Sequence, residues 1–151
     1  MTDEQLAAVL SLLREQSTIT VATTDAAGNS AAAPLFYWLE ESAAGFALYW
    51  FSSGSTQHSR NIEISPQIAA AVFHTTMKWR EIRGAQMKGL VSVVESPALR
   101  EQILQDYCAR FELGTEFTTQ LGKSKLYKFV PDWVRYVNNA DAFGIKFESF
   151  L

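Results

Sequence analysis

Histidine, cysteine and paired carboxylates carry most enzyme chemistry, and this sequence holds few of them at useful spacing. His58 and His74 are its two histidines. Neither has a cysteine or carboxylate at the intervals a zinc or non-haem iron site needs. Cys108 is the single cysteine, which excludes an intrachain disulfide and a cysteine-based zinc site. It falls on the apolar face of a helical segment, where a structural thiol is the natural reading. No Gly-x-Ser-x-Gly elbow, Gly-x-Gly-x-x-Gly turn or Walker loop is present, and no carboxylate spacing suggests a hydrolytic pair. The residues alone therefore assign no catalytic group and no metal ligand. Yet the chain carries ten Phe, five Tyr and four Trp. Aromatic rings build β cores and also line flat-ligand pockets, Trp50 and Trp133 included. A chain rich in them but without an acid–base constellation either binds a ligand or takes its chemistry from a cofactor that the protein orients. Gln86 and Lys88, two apart on one extended segment, face the same side and are candidates to meet such a ligand.

The elements that must position these groups are legible from periodicity. Residues 2–16 predict a helix opened by Thr2 with Gln5 three positions on, and with Leu6, Val9, Leu10 and Leu13 on one stripe. Alternation predicts a strand at 18–24, Asp25 to Asn29 supplies turn chemistry, and a strand at 30–40 carries Pro34, which belongs at an edge, bulge or bend. A second turn at 42–45 leads to a strand at 46–52. A short helix at 55–64 stops before Ser65-Pro66, and strands at 67–74 and 80–95 follow. Ser96-Pro97 opens a helix with Leu99, Ile103, Tyr107 and Phe111 on one face. An irregular stretch precedes two closing strands, 125–130 and 133–138, divided by Pro131-Asp132.

The expected fold is α+β: a small, mainly antiparallel barrel of six or seven strands with peripheral helices, in a single domain over residues 1–151. Net charge is −3 without a long basic run, so neither nucleic acid nor an anionic membrane is the expected partner. Residues 1–16 do not read as a signal peptide, and no segment approaches the ~20 apolar residues of a spanning helix. The reading is a soluble cytoplasmic domain.

Three segments carry a family resemblance. The first runs from Thr18 through Gly28 to Pro34-Leu-Phe-Tyr37. The second is Leu48-Tyr-Trp-Phe-Ser52-Ser-Gly-Ser-Thr56-Gln57-His58-Ser-Arg60-Asn61-Ile62, followed by Ser65-Pro66 and an apolar strand. The third is Ile82-Arg83-Gly84-Ala-Gln86-Met-Lys88-Gly89. In this order they resemble the pyridoxamine 5'-phosphate oxidase-like (FMN-binding split β-barrel) superfamily over residues 5–138. The last two are also similar to an uncharacterised bacterial subgroup of it, with Thr-x-His in place of the usual basic pair. The resemblance implies a split barrel, a homodimer with two sites at its interface, and FMN as the usual cofactor; haem, a deazaflavin or no cofactor occur in relatives.

By position, the resemblance gives Phe51 and Ser52 the border of the flavin near its ribityl-phosphate arm. Thr56, Gln57 and His58 fall where the phosphate is held, and Gln86 and Lys88 fall on the strand that crosses the barrel. The family's second basic pair, on the second strand, falls around Ala33 and Tyr37 or Trp38 and is absent. FMN is then held weakly or lost, unless His58, Arg60, Arg83, Lys88 or helix-end amides compensate. The expected function is an FMN-dependent oxidoreductase of a small-molecule substrate. The alternatives are a non-catalytic flavin or haem binding protein, with His58 or His74 as the axial ligand for haem, and a cofactor-free dimeric domain. Oxidation of pyridoxamine phosphate itself is not expected, because no C-terminal substrate motif follows Phe143-Gly144.

Overall fold

Thr2 accepts a hydrogen bond from Gln5 N at 3.2 Å while Gln5 Oε1 accepts from Thr2 N at 3.0 Å. This capping box opens helix α1 (Asp3–Glu15), whose Val9, Leu12 and Leu13 are buried. The structure, a computed structural model, describes residues 1–43, 45–140 and 145–151. Position 44 of the expected second turn, and Phe143 and Gly144, lie outside the described residues. Strands β1 (Thr18–Thr24) and β2 (Ser30–Phe36) form a hairpin over the Asp25 turn. There Asp25 Oδ1 accepts from Ala27 N and Asn29 N, and Gly28 takes a φ of 86°. Pro34 sits on β2, an edge of the sheet, where a residue without an N–H donor is tolerated.

The strand expected at 30–40 is in fact two. Tyr37 breaks it by donating its backbone N–H to Ser17 O and its hydroxyl to Leu13 O at 2.6 Å, with the ring fully buried. The chain then continues as β3 (Trp38–Ser42), paired with β4 (Gly45–Ser52). Helix α2 (Gln57–Ile64) and strand β5 (Gln67–Phe73) follow. The long strand expected at 80–95 begins later, as β6 (Arg83–Val93), after a 3₁₀ turn at Trp79–Glu81. Helix α3 (Pro97–Arg110) starts behind the Ser96 cap, and the stretch read as irregular contains a further helix, α4 (Thr115–Gly122).

The two closing strands expected around Pro131-Asp132 are one, β7 (Lys125–Asn138). Proline is absorbed because the ladder slips there: Lys88 faces Trp133 and Gly89 faces Pro131, leaving Asp132 as the extra residue of a bulge. Only glycine fits at 89, where a Cβ would lie 2.2 Å from Val130 O. Strand β8 (Ile145–Phe150), not expected, adds to β7.

The sheet runs β2-β1-β5-β6-β7-β4-β3 through antiparallel pairs, with β8 paired to β7 off this path. It curls into the α+β split barrel, seven strands on the path. Val9, Leu13, Ile19, Val21, Leu48, Trp50, Met87, Tyr127 and Phe129 fill its interior. A second core lies outside it, where α3 covers Ala47, Tyr49, Phe51 and Leu126 with Ile103, Leu104 and Tyr107. β4 is thus buried on both faces, which explains its unbroken apolar run. Among the described residues no helix is long and apolar enough to cross a membrane.

Candidate functional site

Alternation along β4 decides which of its terminal side chains meet. Leu48 and Trp50 point into the barrel, whereas Tyr49 and Phe51 point to α3. Ser52 shares the face of Trp50 and lies at the barrel end where α2 begins. Its Oγ is 2.7 Å from His58 Nε2. Thr56 caps α2 by accepting from Ser59 N at 3.3 Å, and its hydroxyl also lies 3.1 Å from His58 Nε2. Burial lowers the imidazole pKa below its ordinary 6.5, so the cluster is neutral at neutral pH.

The expected site residues therefore separate. Ser52, Thr56 and His58 converge. Phe51 lies on the opposite face, its ring edge-on to Tyr107 at 5.2 Å and under the Arg100 guanidinium at 5.4 Å. It is part of the α3 core. Gln57 is exposed and borders a different cleft with Asp25, Arg60 and Asn61. Trp50, fully buried, stacks on Tyr127 inside the barrel.

Gln86 and Lys88 line a groove of about 500 Å³ on the outer face of the sheet. Its floor is made of the short side chains Thr20, Ala22, Ala69 and Ala71. One wall is Trp133, with the Lys88 ammonium 4.7 Å above its ring, beside Arg135 and Glu148. A second cleft of about 470 Å³ shares Ala71 and Gln86 and is bordered by His74, Phe73, Ile82 and Arg83. The helix that carries His58 packs on β1 beside the groove: Asn61 Nδ2 donates to Thr23 Oγ1 at 3.0 Å, next to Ala22 of the groove floor. Ser52 pairs with Lys125 at the start of β7, while Gln86 pairs with Arg135, ten residues further on.

Sequence reasoning missed Lys125. Its Nζ lies 2.8 Å from Glu63 Oε1, and its Cε would be 3.0 Å from a Cβ placed on Gly54. Proximity to the Glu63 carboxylate raises the ammonium's pKa, and the carboxylate's pKa falls in turn. No local motif marks this lysine. The only available signal was the pairing of two strand ends far apart in sequence.

The pyridoxamine 5'-phosphate oxidase family profile matches residues 5–138. A UPF0306 protein of Yersinia pestis is 30% identical over 115 residues, covering 76% of this chain and 72% of that protein. ChuZ of Campylobacter jejuni superposes with a TM-score of 0.80 at 15% identity, over 99% of this chain and 61% of ChuZ. HutZ, the haem storage protein of Vibrio cholerae, superposes with a TM-score of 0.67 at 20% identity, over 83% of this chain and 88% of HutZ. These two structures share the split-barrel fold. The chain belongs to the pyridoxamine 5'-phosphate oxidase family, with UPF0306 proteins among its relatives.

Proposed function

We propose that this protein binds FMN and works as a flavin-dependent oxidoreductase on a small molecule, as a homodimer. The observation that carries the reading is the outer groove. Its flat floor of Thr20, Ala22, Ala69 and Ala71 beside the Trp133 ring suits a planar tricycle, and its size falls within the ~300–1,000 Å³ of ligand sites. The phosphate arm needs hydrogen-bond donors and positive charge; Ser52, Thr56 and His58 supply the former, and Lys125 stands beside them. The residues fit the cofactor, although fewer cations serve it than in the family's usual pattern.

The dimer enters this reading through the family resemblance, which implies a site at the interface of two copies. When bound, the flavin supplies hydride or electron transfer. The protein's own part is to hold the ring against Trp133, offer Gln86 and Lys88 to its polar edge, and anchor the phosphate.

The test is an absorption spectrum of the purified protein and a tryptophan-fluorescence titration with FMN. Saturable quenching at one site per chain is expected, weaker in Trp133→Phe. A featureless spectrum and no quenching would sink the flavin reading. A second reading, haem binding, is favoured by His74 on a mostly apolar cleft with Arg83 nearby, and by the likeness to HutZ. A haem titration whose Soret shift is lost in His74→Ala would select it.

A further inference from the structure

We infer that Lys125 is the cation that recognises the phosphate end of the ligand, and that Glu63 is a built-in competitor for it. This rests on the flavin reading above and names the residues that set its phosphate selectivity. The polar cluster on the turn is uncharged, because Ser52 and Thr56 are hydroxyls and His58 is neutral at neutral pH. The neighbouring guanidinium groups donate to backbone carbonyls. Arg60 donates to Ser55 O, and Arg100 donates to the carbonyls of Leu121 at 3.0 Å, Gly122 at 3.3 Å and Ser124 at 2.6 Å.

Lys125 remains. It pairs directly with Ser52 across β4 and β7, and residues opposite each other on neighbouring strands share a face. Its ammonium lies over the turn, 3.3 Å from where a Cβ on Gly54 would sit. The position is held by Glu63, 2.8 Å away, in an ion pair whose side chains are 44% and 53% exposed. Exposed pairs of this kind are weak and exchange readily. A phosphate monoester carries more negative charge than the carboxylate and adds acceptors for the hydroxyls, so it displaces Glu63 from the ammonium. Riboflavin, which lacks the phosphate, gains nothing from Lys125.

The experiment is a fluorescence titration of the full chain with FMN and with riboflavin, at low salt, for wild type, Lys125→Gln, Lys125→Arg and Glu63→Gln. Wild type is expected to prefer FMN. Lys125→Gln should weaken FMN by roughly tenfold, as loss of one charge-assisted contact does, and leave riboflavin unchanged. Lys125→Arg should restore the preference, and Glu63→Gln should strengthen FMN alone. Equal affinity of wild type for the two flavins overturns the inference and leaves the flavin reading standing. So does an FMN preference that survives both Lys125→Gln and Glu63→Gln unchanged. Wild type that binds neither flavin overturns the flavin reading and this inference with it.

Discussion

His58 is held neutral by its surroundings, and that has a measurable sign. Burial disfavours the imidazolium in the folded chain, so the unfolded chain takes up the proton first as pH falls below 6.5. Stability present at neutral pH is therefore lost between 6.5 and the lower folded value. The ring remains partly exposed, so solvent screening keeps the effect small. Urea midpoints measured at pH 7.5 and pH 5 should separate in wild type, and the gap should narrow in His58→Gln. Two buried tyrosines make a second comparison at this scale. Among the described residues the Tyr127 hydroxyl is buried without a hydrogen-bond partner, whereas that of Tyr37 donates to Leu13 O at 2.6 Å. Tyr127→Phe should be neutral or up to about 1 kcal/mol stabilising, and Tyr37→Phe should cost about 1–2 kcal/mol. Equal losses in chemical denaturation would contradict the assignment of these two bonds.

At the scale of elements, the bulge at Lys88/Gly89 keeps β7 continuous through Pro131. Gly89→Ala would drive a methyl into Val130 O, 2.2 Å from the Cβ position, and should cost about 3 kcal/mol or more, read as a lowered denaturation midpoint. The same bulge shows why part of the fold was hidden from the sequence. Local patterns were enough for α1, β1, β4, α2 and the Ser96-Pro97 start of α3, because caps and alternation are written in neighbouring residues. Pro131 read as a break because the slip that accommodates it belongs to Gly89, on another strand. Tyr37 read as strand because the carbonyls that pull it out of the ladder lie on Leu13 and Ser17. The site divides in the same way. The Ser52–Thr56–His58 cluster was legible as one turn, whereas Lys125 reaches it through a strand pairing that no local motif announces. Phe51 was set beside Ser52 by motif position, but β alternation turns it to α3.

For the whole molecule, the proposed flavin-binding dimer would use the outer groove both as a ligand surface and as a face open to a second copy. Ala69 is exposed on its floor. Ala69→Arg places a long charged side chain there without entering the core, so folding should survive. The FMN-dependent quenching should disappear. Sedimentation should give wild type the mass of two chains, and a wild-type monomer that still saturates with FMN would remove the dimer from the proposal.

The double burial of β4 has a kinetic consequence. Local opening exposes backbone amides in proportion to how little is packed over them, and β4 is covered by the barrel interior on one side and α3 on the other. Its amides should be among the slowest to exchange with deuterium. The Ser52 turn hangs from the last residue of that strand, so it should persist in partly opened states of the chain that have already released β2, β3 or β8 at the sheet margins.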